Sequence, residues 1–189
     1  VANVSRPFGA RPVYHLQGAR IQARKYFISS GDGTAVFKGD FVKLAGAADT
    51  DGTTPTVIRA AATNPVVGVV VGFMPNQSNL DMSGQYRLAS TDRYCWVIDD
   101  PYVVFEMQGD ASFVAADVGL NCEFVATAGS STTGESAMVA DHTNMDSTAT
   151  RSLKVLGLSP RVDNEIGTSD KILVLINNHQ LRGTGILGV

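Results

Sequence analysis

The chain has 189 residues, 44% of them hydrophobic and 17% charged, with a net charge of −3. That is enough for one substantial domain with a real core, and its acidic balance speaks against nucleic acid as a partner. No apolar run approaches the roughly 18 residues of a spanning helix, so no membrane partner is expected. The N-terminus shows no apolar signal-peptide region, which points to synthesis in the cytoplasm.

Charge is unevenly laid out along the chain. Residues 1–31 hold Arg6, Arg11, Arg20, Arg24 and Lys25 and no acid, so the rest carries −8. Two prolines, two glycines and little periodicity over residues 1–25 predict an extended N-terminal arm. An arm both basic and studded with Phe8, Val13, Tyr14, Leu16 and Ile21 is suited to dock on an acidic neighbour.

A domain over residues 26–178 should follow. Residues 36–73 form its nucleus, three valine-rich runs separated by turn signals at Gly39-Asp40, Asp51-Gly52 and Asn64-Pro65. They are too short and too β-branched for good helices. Residues 66–71 are apolar apart from Gly68, as in a strand covered on both faces.

The segment 87–108 is a second β region. There Trp96, Phe105 and Met107 are expected in the core, and the alternation of residues 103–108 predicts one buried and one wet face. Residues 112–119 are the single short helix predicted, with Ser112 as N-cap and Gly119 as stop. Residues 130–146 read as a long flexible loop. Residues 152–158 and 171–177 close the sheet, the latter as a central strand, and residues 179–189 form a C-terminal tail. The fold class expected is mainly β, a small β-barrel or sandwich.

No residue set suggests catalysis, a cofactor or a metal. Residues 183–188 match GxGxxG, but the helix that this fingerprint needs after it is not expected here. His15, His142 and His179 lie far apart and are expected as exposed loop residues. Asp49-Thr50-Asp51-Gly52 reads as a hairpin tip lacking the later calcium ligands. Cys95 and Cys122 form no CxxC pattern and sit in apolar runs, as buried free thiols do. Asn76-Gln77-Ser78 is a sequon without a secretory context. Asp99, Asp100 and Glu106 are the closely spaced acids that a glycan-hydrolysing enzyme would need.

Residues 3–13 (Asn-Val-Ser-Arg-Pro-Phe-Gly-Ala-Arg-Pro-Val), residues 35–46 (Ala-Val-Phe-Lys-Gly-Asp-Phe-Val-Lys-Leu-Ala-Gly) and residues 66–72 (Val-Val-Gly-Val-Val-Val-Gly) resemble the capsid decoration, or cement, proteins of tailed bacteriophages. The resemblance implies a β-rich, non-enzymatic protein on the outer surface of the virion shell. It would bind the major capsid protein at two-fold or three-fold positions, as a symmetric homodimer or homotrimer. A head-fibre or tail attachment protein is the alternative. On this view Arg6, Phe8, Arg11, Tyr14, Arg20 and Arg24 are the expected capsid or neighbour contacts.

Overall fold

The computed structural model describes residues 3–75 and 85–182. The sequon at residues 76–78 and the fingerprint at 183–188 lie outside the described residues. The protein is mainly β with several sheets. In chain order the strands are β1 (Arg11–His15), β2 (Arg24–Ile28), β3 (Val36–Phe37), β4 (Phe41–Ala48), β5 (Pro55–Arg59), β6 (Gly68–Phe73), β7 (Tyr86–Arg87), β8 (Arg93–Ile98), β9 (Val103–Gln108), β10 (Asn121–Cys122), β11 (Phe124–Val125), β12 (Val139–Ala140), β13 (Leu153–Leu158) and β14 (Lys171–Ile176).

Two bodies of sheet share one interface. The valine-rich nucleus supplies β4, β5 and β6. With β2 and β8 they pair in the order β2-β5-β4-β6-β8, and β8 returns to β2, so the pairing closes on itself. The second body is an antiparallel sheet in the order β1-β9-β14-β13-β10, with β14 central as its apolar run predicts.

Inside the ring pack Tyr26, Ile28, Val42, Val57, Val67, Val70, Cys95 and Val97. The ring residues Phe41, Val69 and Ile98 turn the other way and join Phe105, Met107, Val155, Ile172 and Val174 of the sheet. Residues 66–70 thus feed both cores, which explains their unbroken apolar pattern. Gly68 is required where β6 crosses β8, because a Cβ there would collide with the carbonyl of Ile98.

The Asp49–Gly52 tip behaves as expected. Asp49 Oδ1 accepts from the backbone N–H groups of Thr53 and Thr54 at 3.0 and 3.1 Å, turning β4 into β5. Both cysteines are free and buried, and burial raises both thiols well above their ordinary range.

Four expectations are corrected. The predicted helix over 112–119 is only a 3₁₀ turn at Ala115–Asp117. Phe113 is drawn into the core, its N–H donates to the Gly167 carbonyl, and the segment cannot wind further. The long loop at 130–146 is not a loose excursion. Ser136, Met138 and Ala140 are buried, β12 pairs with β11, and the Phe41 N–H meets Met138 Sδ at 3.4 Å. Met138 is the anchor that a Gly/Ser/Thr-rich composition hid.

Trp96 is 40% exposed, since Cys95 and Val97 are the β8 residues that face into the ring. As the sole tryptophan, it should be quenched readily by acrylamide in the folded protein. A shielded emission would place the ring inside and contradict this register. Finally, the extended arm does not stand away from the domain: β1 is an edge strand of the sheet, and residues 3–10 lie along it.

Candidate functional site

Residues 3–10 form a strap across the outer face of β9 and β14. Asn3 Nδ2 donates to the carbonyls of Glu165 and Thr168 at 2.8 and 3.1 Å, and its Oδ1 accepts from the Glu165 N–H at 3.1 Å. The Val4 carbonyl accepts from Lys171 Nζ at 3.2 Å. The Arg6 N–H donates to Gln108 Oε1 at 2.7 Å, while Gln108 Nε2 reaches Ser5 Oγ at 3.4 Å.

Phe8 is then buried. Gly9, at φ +70°, packs so closely on Gly39 and Ser136 that a Cβ has no room. The Ala10 N–H closes the strap on the Gly39 carbonyl at 2.9 Å. All six residues of β9 are buried, against the predicted wet face, and the strap accounts for part of this. Gln108 lies under residues 5 and 6. Glu106 is covered by Ser159 Oγ at 2.5 Å and Arg161 Nη1 at 3.0 Å.

Beside the strap opens a groove of about 310 Å³, lined by Val4, Arg6, Phe8, Arg11, Arg161, Asp163 and Lys171. Its cations differ in their commitments. Arg11 lies over the Phe8 ring at 4.2 Å and pairs with Glu135 at 2.8 Å. Arg161 is shared between Glu106 at 3.0 Å and Asp163 at 3.1 Å. Its hydrogen bond to Asp163 raises its pKa and holds the Asp163 carboxyl below the usual range.

Arg6 and Lys171 are different. Among the described residues neither has a carboxylate within ion-pair distance. Arg6 is exposed. Lys171 is only 7% exposed, and among the described residues the Val4 carbonyl is the one hydrogen-bond acceptor of its ammonium.

Of the expected contact residues, the structure brings Arg6, Phe8 and Arg11 to this groove. Phe8 is an internal anchor and not an outward contact, because its ring sits under Arg11. Tyr14 is half-exposed farther along β1, and Arg20 lies in the exposed linker at residues 16–23. Arg24 stands at the start of the ring, 3.4 Å from Asp99. Arg161 and Lys171 escaped the sequence reading. Lys171 opens an apolar strand and Arg161 follows a proline in a polar loop, both ordinary patterns.

The three histidines are buried, contrary to expectation. His15 Nε2 lies 3.1 Å from Asp100. His179 is tucked beside Val66, just after the closing strand, where burial lowers its pKa to about 4. His142 packs on Gly109 with Nδ1 3.2 Å from the Ala111 carbonyl. Facing it at 3.8 Å is Asp170, whose buried carboxylate has the Phe113 and Gly167 backbone N–H groups beside it. Burial pushes Asp170 up to about 7 and His142 down.

The acids weighed for glycan hydrolysis are each engaged separately: Asp99 by Tyr26 at 2.7 Å, Asp100 by His15, and Glu106 by Ser159 and Arg161. Among the described residues no group of three or more His, Cys, Asp or Glu side chains is placed to hold a metal ion. No family model, curated protein or solved structure matches the chain.

Proposed function

We propose that this is a capsid decoration protein of a tailed bacteriophage. It is a non-enzymatic structural component that binds the outer surface of the major capsid shell as a symmetric homodimer or homotrimer and staples neighbouring capsomers. The observation that supports this best is spatial. The three stretches that carry the resemblance, residues 3–13, 35–46 and 66–72, meet at one place. The Ala10 N–H bonds the Gly39 carbonyl, the Gly39 N–H bonds the Val70 carbonyl, and the Val70 N–H bonds the Asp40 carbonyl, at 2.9, 2.7 and 3.0 Å. The resemblance therefore marks one structural unit.

The grip belongs to the surface that the docked strap builds and not to a free arm. A shell joint needs complementary area and no reaction centre, and repeated copies on a symmetric shell add avidity. The test is to mix the full chain with empty shells assembled from the major capsid protein of the same genome and to sediment them. Hundreds of copies should pellet per shell. A chain left in the supernatant would overturn the proposal, and a count near a dozen would favour a head-fibre or tail attachment protein.

A further inference from the structure

We infer that the groove beside the strap is a receptor for one carboxylate side chain on an extended acidic segment of a partner protein, with Arg6 and Lys171 as the receiving cations. The inference deepens the shell-binding proposal, on which it rests for the identity of the partner but not for the chemistry.

Lys171 carries the argument. A lysine more than nine-tenths buried ordinarily pairs with a carboxylate, because taking the ammonium out of water is costly. This one has three donors, lines an open groove, and among the described residues its ammonium hydrogen-bonds only the Val4 carbonyl, with Asp163 and Asp170 acting on it from beyond ion-pair distance. Arg6 joins it on the same groove, equally without an acid within ion-pair distance among the described residues. The site thus holds two cations with capacity left over.

Charge fixes the ligand class. Around the groove Arg6, Arg11, Arg161 and Lys171 face Asp163, Glu106 and Glu135, and three of these four cations' worth of charge is already answered. The remaining surplus suits a single carboxylate. A densely charged polyanion would meet Asp163 on the way in. A volume of about 310 Å³ corresponds to roughly ten waters, room for one or two side chains but not for a folded element. Val4, 69% exposed, gives the rim an apolar lip, so an acid next to an aliphatic residue fits.

The experiment uses the ¹⁵N-labelled full chain at low salt, titrated with acetyl-Ala-Glu-Val-Ala-amide, with its glutamine counterpart and with inorganic phosphate. Amide shifts are expected at residues 4–11 and 161–171 with the glutamate peptide, with at least tenfold weaker binding of the glutamine peptide. Arg6→Gln, on an exposed side chain that the fold does not use, should weaken the glutamate peptide at least fivefold. Arg20→Gln, an equal charge change outside the groove, should not. Lys171→Arg keeps the charge and should bind, whereas Lys171→Met should not. Equal binding of both peptides, an unaffected Arg6→Gln variant, or phosphate binding as tightly as the glutamate peptide would each overturn the inference. Peptide binding without shell binding would leave the groove assigned and sink only the shell proposal. Shells that take wild type and Arg6→Gln equally would do the reverse.

Discussion

Replacing Phe8 with alanine is expected to lower the stability of the folded protein by about 3–5 kcal/mol, the usual cost of emptying a buried aromatic site. The reason lies in what the ring holds down. Phe8 is 6% exposed and is the single large apolar anchor between the strap and the body. Without it, Gln108 and Lys171 face solvent through a loosened cover and Gly9 no longer seats on Gly39. Arg20→Ala, in the exposed linker, should change stability by less than about 0.5 kcal/mol. A urea unfolding midpoint for each variant decides the matter. If Phe8→Ala proves as silent as Arg20→Ala, the leader is a free arm after all and the groove loses a wall.

The second large effect concerns pH. Asp170 is fully buried and faces His142, with the Phe113 and Gly167 backbone N–H groups, Lys171, Asp110 and Asp117 also near the site. The folded protein holds this carboxyl proton up to about pH 7, whereas an ordinary aspartate releases it near 3.8. Between those values the folded state binds more protons than the unfolded chain, so this group's contribution falls as pH rises and levels off above 7. The span corresponds to an upper limit of about 4 kcal/mol.

His142 and His179 have lowered pKa values and act in the opposite sense below pH 6.5. Burial raises Asp40 to about 6, and it acts in the same sense as Asp170. The wild-type profile therefore mixes several groups, and the difference between wild type and Asp170→Asn isolates one. The variant should match wild type near pH 4 and be clearly more stable at pH 8. A constant difference across that range would mean that Asp170 is ionised in the fold at all these pH values.

Strand positions were readable because short valine-rich runs between Gly, Asp and Pro turns leave few alternatives. The closed pairing around residues 36–73 follows from that local grammar. What escaped depended on contacts far apart in sequence. The polar face of β9 looked wet because nothing local says that Ser5 and Arg6 will lie on Gln108. The segment 130–146 looked loose because composition does not reveal that Met138 inserts beside Phe41. The leader looked detached because Pro7, Gly9 and Pro12 break periodicity whether a segment floats or is pinned flat. Trp96 was misplaced by one residue of register, which moves a side chain to the opposite face. The cationic groove was half legible. Arg6 and Arg11 stood out as charges without acids, while Arg161 and Lys171 arrive there only through folding.

The strap also sets an order on how the molecule is made. Asn3 is bonded to Thr168, 165 positions later. A ribosome adding about 5–20 residues per second needs roughly 10–30 s to cover that distance. Through that interval Asn3 and Val4 lack their partners, since residues 165–171 have not yet emerged. Residues 3 and 4 are therefore among the last parts of this fold to settle, and they act as a latch that fastens only when residues 165–171 are in place.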